Sequence, residues 1–215
     1  TANFFGEADA LNMFSDLGIH ANKSIIVSNQ DDLLTLSKTL SFPVVLKTAV
    51  DNVLHKSELN AVYLGIESQE HLLESYQELQ KNLPGDALLA SMIESNGIEM
   101  ILGMTTDQQL GPMITIGFGG YYAEALKDAV TLMPPFTAET AKTAIKSLRM
   151  KSLLDGYRGT DPVDINAFAQ MASVFSLIAI EFKEQISEID INPVILGKDN
   201  CIAVDALISL HQQKK

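Results

Sequence analysis

The chain has 215 residues, 47% hydrophobic and 20% charged, a balance that gives a globular domain with a substantial core and excludes a disordered one. Its 15 Lys and Arg stand against 27 Asp and Glu, a formal charge of −12, so the surface repels nucleic acid and anionic lipid and neither is expected as a partner. No apolar run approaches the roughly 20 residues of a membrane helix and no signal segment opens the chain, while the single cysteine, Cys201, rules out an intramolecular disulfide framework and fits a reducing, cytoplasmic compartment.

Residues 7–17 read as a helix, with Ala8, Leu11, Phe14 and Leu17 at helical spacing and Gly18 placed to end it. Residues 24–27 form a short strand. Ser28-Asn29-Gln30-Asp31 resembles a capping box ahead of a helix face of Leu33, Leu36 and Leu40. A buried strand over 43–48 leads into a polar loop over 50–61, and 62–66 returns as a strand. Ser68 then caps a helix carrying Leu72, Tyr76 and Leu79, and 88–92 is another strand. Strands over 98–105 and 113–118 flank a turn at 107–112, and Gly117-Phe118-Gly119-Gly120 makes a glycine-rich turn. Pro134-Pro135 breaks the chain, Thr137 caps a helix, and Asp164 begins a long apolar helix that runs to about Phe182. The end reads as a hairpin of 188–196 and 201–207 around Gly197-Lys198-Asp199-Asn200. Strands and helices therefore fall into two clusters. They predict an α+β fold with an N-terminal helix over 1–19, one lobe over 20–95 and a second over 96–215, with a cleft between the lobes. Thr1 in place of Met points to a piece of a longer chain.

A four-residue loop in the terminal hairpin sets Leu196 opposite Cys201, Val194 opposite Ala203 and Asn192 opposite Asp205. Asp190 lies two residues before Asn192 and points to the same face. Three oxygen-bearing side chains then share one patch. Such a patch is either an Mg²⁺ site with room for phosphates and water or ordinary polar turn chemistry. Lys47 ends the apolar strand Val44-Val45-Leu46-Lys47, where it either reaches solvent or meets a phosphate as a point charge. His55, in the polar loop beside Lys56, is either a nucleophile towards phosphorus or a plain loop residue.

Phe42-Pro43-Val44-Val45-Leu46-Lys47 followed by Leu54-His55-Lys56-Ser57 resembles the ATP-grasp domain of ADP-forming acyl-CoA synthetases. The likeness continues through Gly97-Ile98-Glu99-Met100-Ile101-Leu102-Gly103, Leu110-Gly111-Pro112, Gly117-Phe118-Gly119-Gly120 and Glu124-Ala125-Leu126-Lys127-Asp128. It closes with Leu153-Leu154-Asp155-Gly156-Tyr157-Arg158-Gly159, Glu188-Ile189-Asp190-Ile191-Asn192-Pro193 and Val204-Asp205-Ala206. Each motif is weak singly, but together they keep the family order over nearly the whole chain. Succinyl-CoA synthetase is a related system whose β-subunit has comparable motifs.

The resemblance implies an ATP-grasp fold of two α+β lobes gripping ATP. The full enzyme would convert acid, CoA and ATP to acyl-CoA, ADP and phosphate, with phosphate relayed through histidines. Lys47 is then the lysine that meets the ATP phosphates, and His55 the second phosphoryl carrier. Ser91, Met92, Ile93 and Glu94 correspond to the hinge that holds adenine, and Glu99 to the acid near the sugar and phosphates. Asn192 and Asp205 correspond to the Mg²⁺ ligands, and Asp190 to the acid that orients the phosphohistidine. Gly119-Gly120 permits close backbone approach, and Arg158 is a candidate anion ligand or a surface salt-bridge partner. The implied cofactors are ATP or ADP and Mg²⁺. The implied partner is a CoA-binding and ligase portion, in the same longer chain or a separate subunit, which brings the acyl substrate and CoA. One departure stands out: where the family has Asp and a Gly-Gly-Val turn after His-Lys-Ser, this chain has Glu58-Leu59-Asn60-Ala61-Val62. Ala tolerates left-handed backbone poorly, so the phosphate loop is expected to sit differently. That departure favours an alternative, a degenerate synthetase-like regulatory domain of a lysine acetyltransferase. Retention of Lys47, His55, Asp190, Asn192 and Asp205 favours the enzyme. A third reading is a ligase coupling ATP to another carboxylate without a phosphohistidine.

Overall fold

A computed structural model describes residues 4–49, 61–93, 97–120 and 127–211. The described strands are β1 (Phe4–Phe5), β2 (Ser24–Val27), β3 (Val44–Thr48), β4 (Val62–Ile66), β5 (Ala87–Ser91), β6 (Ile98–Asp107), β7 (Gly111–Phe118), β8 (Ala129–Leu132), β9 (Ile186–Leu196), β10 (Cys201–Ala203) and β11 (Ala206–Leu210). The described α-helices are α1 (Glu7–Asp16), α2 (Gln30–Ser37), α3 (Gln69–Asn82), α4 (Ala138–Lys146) and α5 (Ile165–Glu181), with a short 3₁₀ turn at Lys151–Leu153. The chain divides into two compact units. One is Asn22–Ile93; the other joins Thr1–Ala21 to Glu94–Lys215.

Asn22–Ile93 is built on an antiparallel sheet in the order β2-β5-β3-β4. Val44 and Leu46 of β3 and Leu89 of β5 pack with Leu33 of α2 and Leu72, Tyr76 and Leu79 of α3 in one apolar cluster. Helix α2 starts one residue later than the capping-box pattern predicts: Asn29, not Ser28, is the N-cap, and its Oδ1 accepts from Asp32 N at 2.9 Å. Ser68 caps α3 as the sequence predicts, its Oγ accepting from His71 N. Ala61 is fully buried, and its carbonyl accepts from Thr48 N at 2.9 Å, which carries the β3–β4 pairing one residue further.

The other unit holds a seven-stranded sheet in the order β1-β11-β9-β6-β7-β8, with β10 also paired to β9. One face carries Met100, Leu102, Met104, Ile114, Ile116, Ile189, Ile191 and Val194, all fully or almost fully buried against α1, α4 and α5. Helix α5 is apolar nearly all round, so it is buried along most of its length. The Phe175 ring meets Phe14 of α1 at 6.2 Å between centroids. Asp164 caps α5 by accepting from Ala167 N. The terminal hairpin has the predicted register, Leu196 with Cys201 and Val194 with Ala203. Its second strand is not continuous, however. The ladder breaks at Val204 and Asp205, and the chain resumes as β11. Strand β8 and the two-residue β1 add edges that the sequence pattern does not announce. No helix of the described residues is long and apolar enough to cross a membrane.

Candidate functional site

The face of the seven-stranded sheet away from α5 carries Glu99, Ile101 and Gly103 of β6 beside Asp190 of β9. Along β9 the buried residues are Ile186, Ile189, Ile191, Val194 and Leu196, while Asp190 is exposed and Asn192 half-buried. In register, Asp190 lies beside Leu207 of β11 on one side and Gly103 of β6 on the other. Opposite Asn192 the pairing of β6 and β9 slips. Met100 pairs with Val194 and Leu102 with Ile191, so Ile101 alone faces both Asn192 and Pro193. This is a bulge, which re-aims the side chains at the irregular position. On the other flank, Asn192 N donates to Asp205 O at 3.2 Å and Val204 N to Pro193 O at 3.1 Å. Asp205 therefore sits across from Asn192 at the point where the β10–β11 ladder opens.

One row further along, Gly119 N donates to Glu99 O at 2.7 Å. The Glu99 carboxylate lies directly against Gly120, which takes φ 73°; a Cβ there would collide with Glu99 Oε2. Gly117 is equally confined, since a Cβ would come within 2.6 Å of Ala129 Cβ. A cavity of about 240 Å³ opens on this face, and its walls include Phe118, Gly119, Gly120, Lys127, Asp128 and Asn192. Asp128 and Glu7 are the buried carboxylates among the described residues, and Asp128 accepts from the backbone N–H groups of Arg149 and Met150. Burial opposes its ionisation, but those two N–H groups and the Arg149 guanidinium outweigh burial and hold its pKa below the usual carboxylate range.

The predicted residues fall into two groups. Glu99, Asp190, Asn192 and Asp205 belong to the seven-stranded unit, the first three on strands β6 and β9 and Asp205 at the break between β10 and β11. Lys47, Ser91, Met92 and Ile93 belong to Asn22–Ile93. Lys47 is half-buried on β3, in register with Val62 and Leu88. Ser91 ends β5 and accepts from Asn22 Nδ2 through its carbonyl. Met92 N donates to Pro43 O, and Met92 Sδ accepts from Gly65 N. His55 and Glu94 lie outside the described residues. Among the described residues no three His, Cys, Asp or Glu side chains cluster to hold a metal. An ion at Asn192 and Asp205 would take one amide oxygen and one carboxylate from the protein, a donor set suited to a hard cation that draws its other ligands elsewhere. Sequence reasoning assigned no role to Lys127 or Asp128, although both fall within a motif that carries the family resemblance, just after the glycine-rich turn.

A family model described as an ATP-grasp domain matches residues 2–210. The chain is 33% identical over 211 residues to the beta subunit of acetate–CoA ligase [ADP-forming] I of Pyrococcus furiosus, covering 95% of this chain and 90% of that subunit. It is 29% identical over 215 residues to 4-hydroxybutyrate–CoA ligase [ADP-forming] of Nitrosopumilus maritimus, but spans only 30% of that longer protein. Among solved structures, dinucleotide forming acetyl-coenzyme A synthetase 1 of Ca. Korarchaeum cryptofilum, in complex with coenzyme A, Ca-AMPCP and HgCl+, matches with a TM-score of 0.88 at 31% identity, over 97% of this chain and 93% of that one. A second structure of that enzyme holds coenzyme A and Mg-AMPPCP, with its phosphohistidine segment pointing towards the nucleotide binding site. It matches with a TM-score of 0.85 at 32% identity, over 97% of this chain and 93% of that one. Fold and sequence agree over almost the whole length, and the chain belongs to the ATP-grasp domains of the ADP-forming acyl-CoA synthetase family.

Proposed function

We propose that the chain is the nucleotide-binding and phosphoryl-transferring component of an ADP-forming acyl-CoA synthetase, acting in the cytoplasm with a CoA-binding and ligase portion. The overall reaction is acid, CoA and ATP to acyl-CoA, ADP and phosphate. The observation that carries the reading is the pairing of Asn192 with Asp205 on the open face of the sheet, beside the cavity wall formed by Gly119 and Gly120.

Asn192 and Asp205 would hold Mg²⁺, which when bound would supply positive charge for the phosphates. Lys47 adds a cation for the phosphates. Backbone groups of Ser91, Met92, Ile93 and Glu94 hold the base, and Glu99 faces the sugar and phosphates. His55 takes the phosphoryl group, and Asp190 accepts a hydrogen bond from its imidazole, which favours the tautomer that attacks. The acyl group and CoA come with the ligase portion. A relative of almost the same length is a ligase subunit, which supports the enzyme over the regulatory alternative.

Calorimetry with Mg·ATP and Mg·ADP, repeated with the metal chelated, tests the reading. Binding at millimolar concentration or below that depends on Mg²⁺ is expected. Failure of the chain to bind either nucleotide overturns it.

A further inference from the structure

Asp128 is only 5% exposed, and both of its carboxylate oxygens are engaged. Oδ1 accepts from Arg149 N at 3.0 Å and Oδ2 from Met150 N at 2.8 Å, with Arg149 Nε 3.6 Å from Oδ1. Its carbonyl accepts from Phe118 N at 3.1 Å. The side chain is thus tied to the segment after α4 and the main chain to the end of β7. Lys127, immediately before it, has φ 47°. Left-handed backbone costs an L-residue roughly 1–2 kcal/mol, and such a conformation persists where the surroundings over-determine it. Here the ties of Asp128 do so. Lys127 joins the cavity wall that also holds Asn192, Gly119 and Gly120. Among the described residues it makes no ion pair. The carboxylate next to it in the wall, Asp128, spends both oxygens on Arg149 and Met150.

We propose that Lys127 is a phosphoryl-binding residue, meeting the terminal phosphoryl group of ATP, and that Asp128 is the positioning residue that holds Lys127 at the cavity. The inference rests on the Mg·nucleotide reading above. The chemistry is that of a terminal phosphoryl group carried with its metal: a compact ammonium and the Asn192 amide line one cavity, while Gly119 and Gly120 are held close to β6 and the Glu99 carboxylate. A nucleoside diphosphate lacks the group that Lys127 would contact. Lys127 therefore discriminates triphosphate from diphosphate and does not add to nucleotide affinity in general.

The experiment is calorimetry of the whole chain with Mg·AMPPCP and with Mg·ADP, on wild type, Lys127→Ala, Lys127→Arg and Asp128→Asn. Near-ultraviolet circular dichroism confirms folding of each. Lys127→Ala should lose about tenfold in affinity for Mg·AMPPCP and keep its affinity for Mg·ADP. Lys127→Arg should recover most of the loss. Asp128→Asn should show the same selective loss with its fold retained, because the lysine is then present but unsupported. Wild-type affinities in Lys127→Ala, or equal losses for both nucleotides, overturn the assignment and leave the nucleotide reading standing. Wild type binding neither nucleotide overturns both.

Discussion

The backbone N–H of Asn192 donates to the carbonyl oxygen of Asp205 across 3.2 Å, at the gap between β10 and β11. This main-chain bond fixes where the two residues lie relative to each other. Asn192→Ala and Asp205→Ala should each weaken Mg²⁺-dependent nucleotide binding by on the order of tenfold to a hundredfold. Stability should change by no more than about 1 kcal/mol, because neighbouring Ile191, Val194 and Ala206 carry the packing. Titrating nucleotide at fixed Mg²⁺, together with thermal melts, measures both. Unchanged affinity in both variants removes the metal assignment.

With the ligase portion supplied and γ-labelled ATP added, phosphate should appear on the His55 peptide as an acid-labile, base-stable adduct. His55→Ala should bind Mg·ATP normally and lose acyl-CoA synthesis. The ligase portion is expected to carry a histidine of its own, so the label has to be mapped to a peptide. Full synthesis by His55→Ala with no label on that peptide would remove the relay role.

Asp128 gives a prediction about pH. Its folded-state pKa lies below the ordinary carboxylate value, so the ionised group stabilises the fold fully above about pH 4. That contribution fades as pH falls through the folded-state value. The stability gap between wild type and Asp128→Asn should therefore be largest near neutrality and shrink as the pH falls below the ordinary carboxylate range. Asp128→Ala should cost about 1–3 kcal/mol at neutral pH, since it strips the acceptors from Arg149 N and Met150 N. Chemical denaturation across a pH series reads both. A gap that does not depend on pH would mean that the charge contributes nothing.

Cys201 is buried, and burial, with a smaller contribution from the nearby Asp164 charge, pushes its thiol up to about 12. A disulfide reagent at about pH 8 should leave the native chain unmodified and label it fully in denaturant. The thiol of the unfolded chain ionises near about 8.5, well before the folded one. Stability should accordingly fall as pH rises above that point. Rapid labelling of the native chain would contradict the buried position.

The sequence was most legible where pattern and chemistry are local. The hairpin register followed from the length of one loop, and Ser68, Thr137 and Asp164 marked helix starts because a cap acts within three residues of itself. The break at Val204 and Asp205 was hidden because their alternation of character continues that of a strand. Asp128 was hidden for a different reason. Its partners lie 21 and 22 residues further along, on backbone atoms that no side-chain pattern encodes. Nor did Asn29 differ enough from Ser28 in chemistry to settle which of them caps α2.

The chain leaves the larger unit at Ala21 and re-enters it at Glu94. The crossing points are neighbours: Asn22 Nδ2 donates to Ser91 O at 2.9 Å, although the two residues are 69 apart in sequence. Residues 22–93 therefore form a cassette with adjoining ends. Such a segment can be exchanged for the equivalent stretch of a relative at two cuts, without reordering the strands of the host sheet. The segment 22–93 can thus diverge as a block in one module while the sheet that carries Asp190, Asn192 and Asp205 stays under its own constraints.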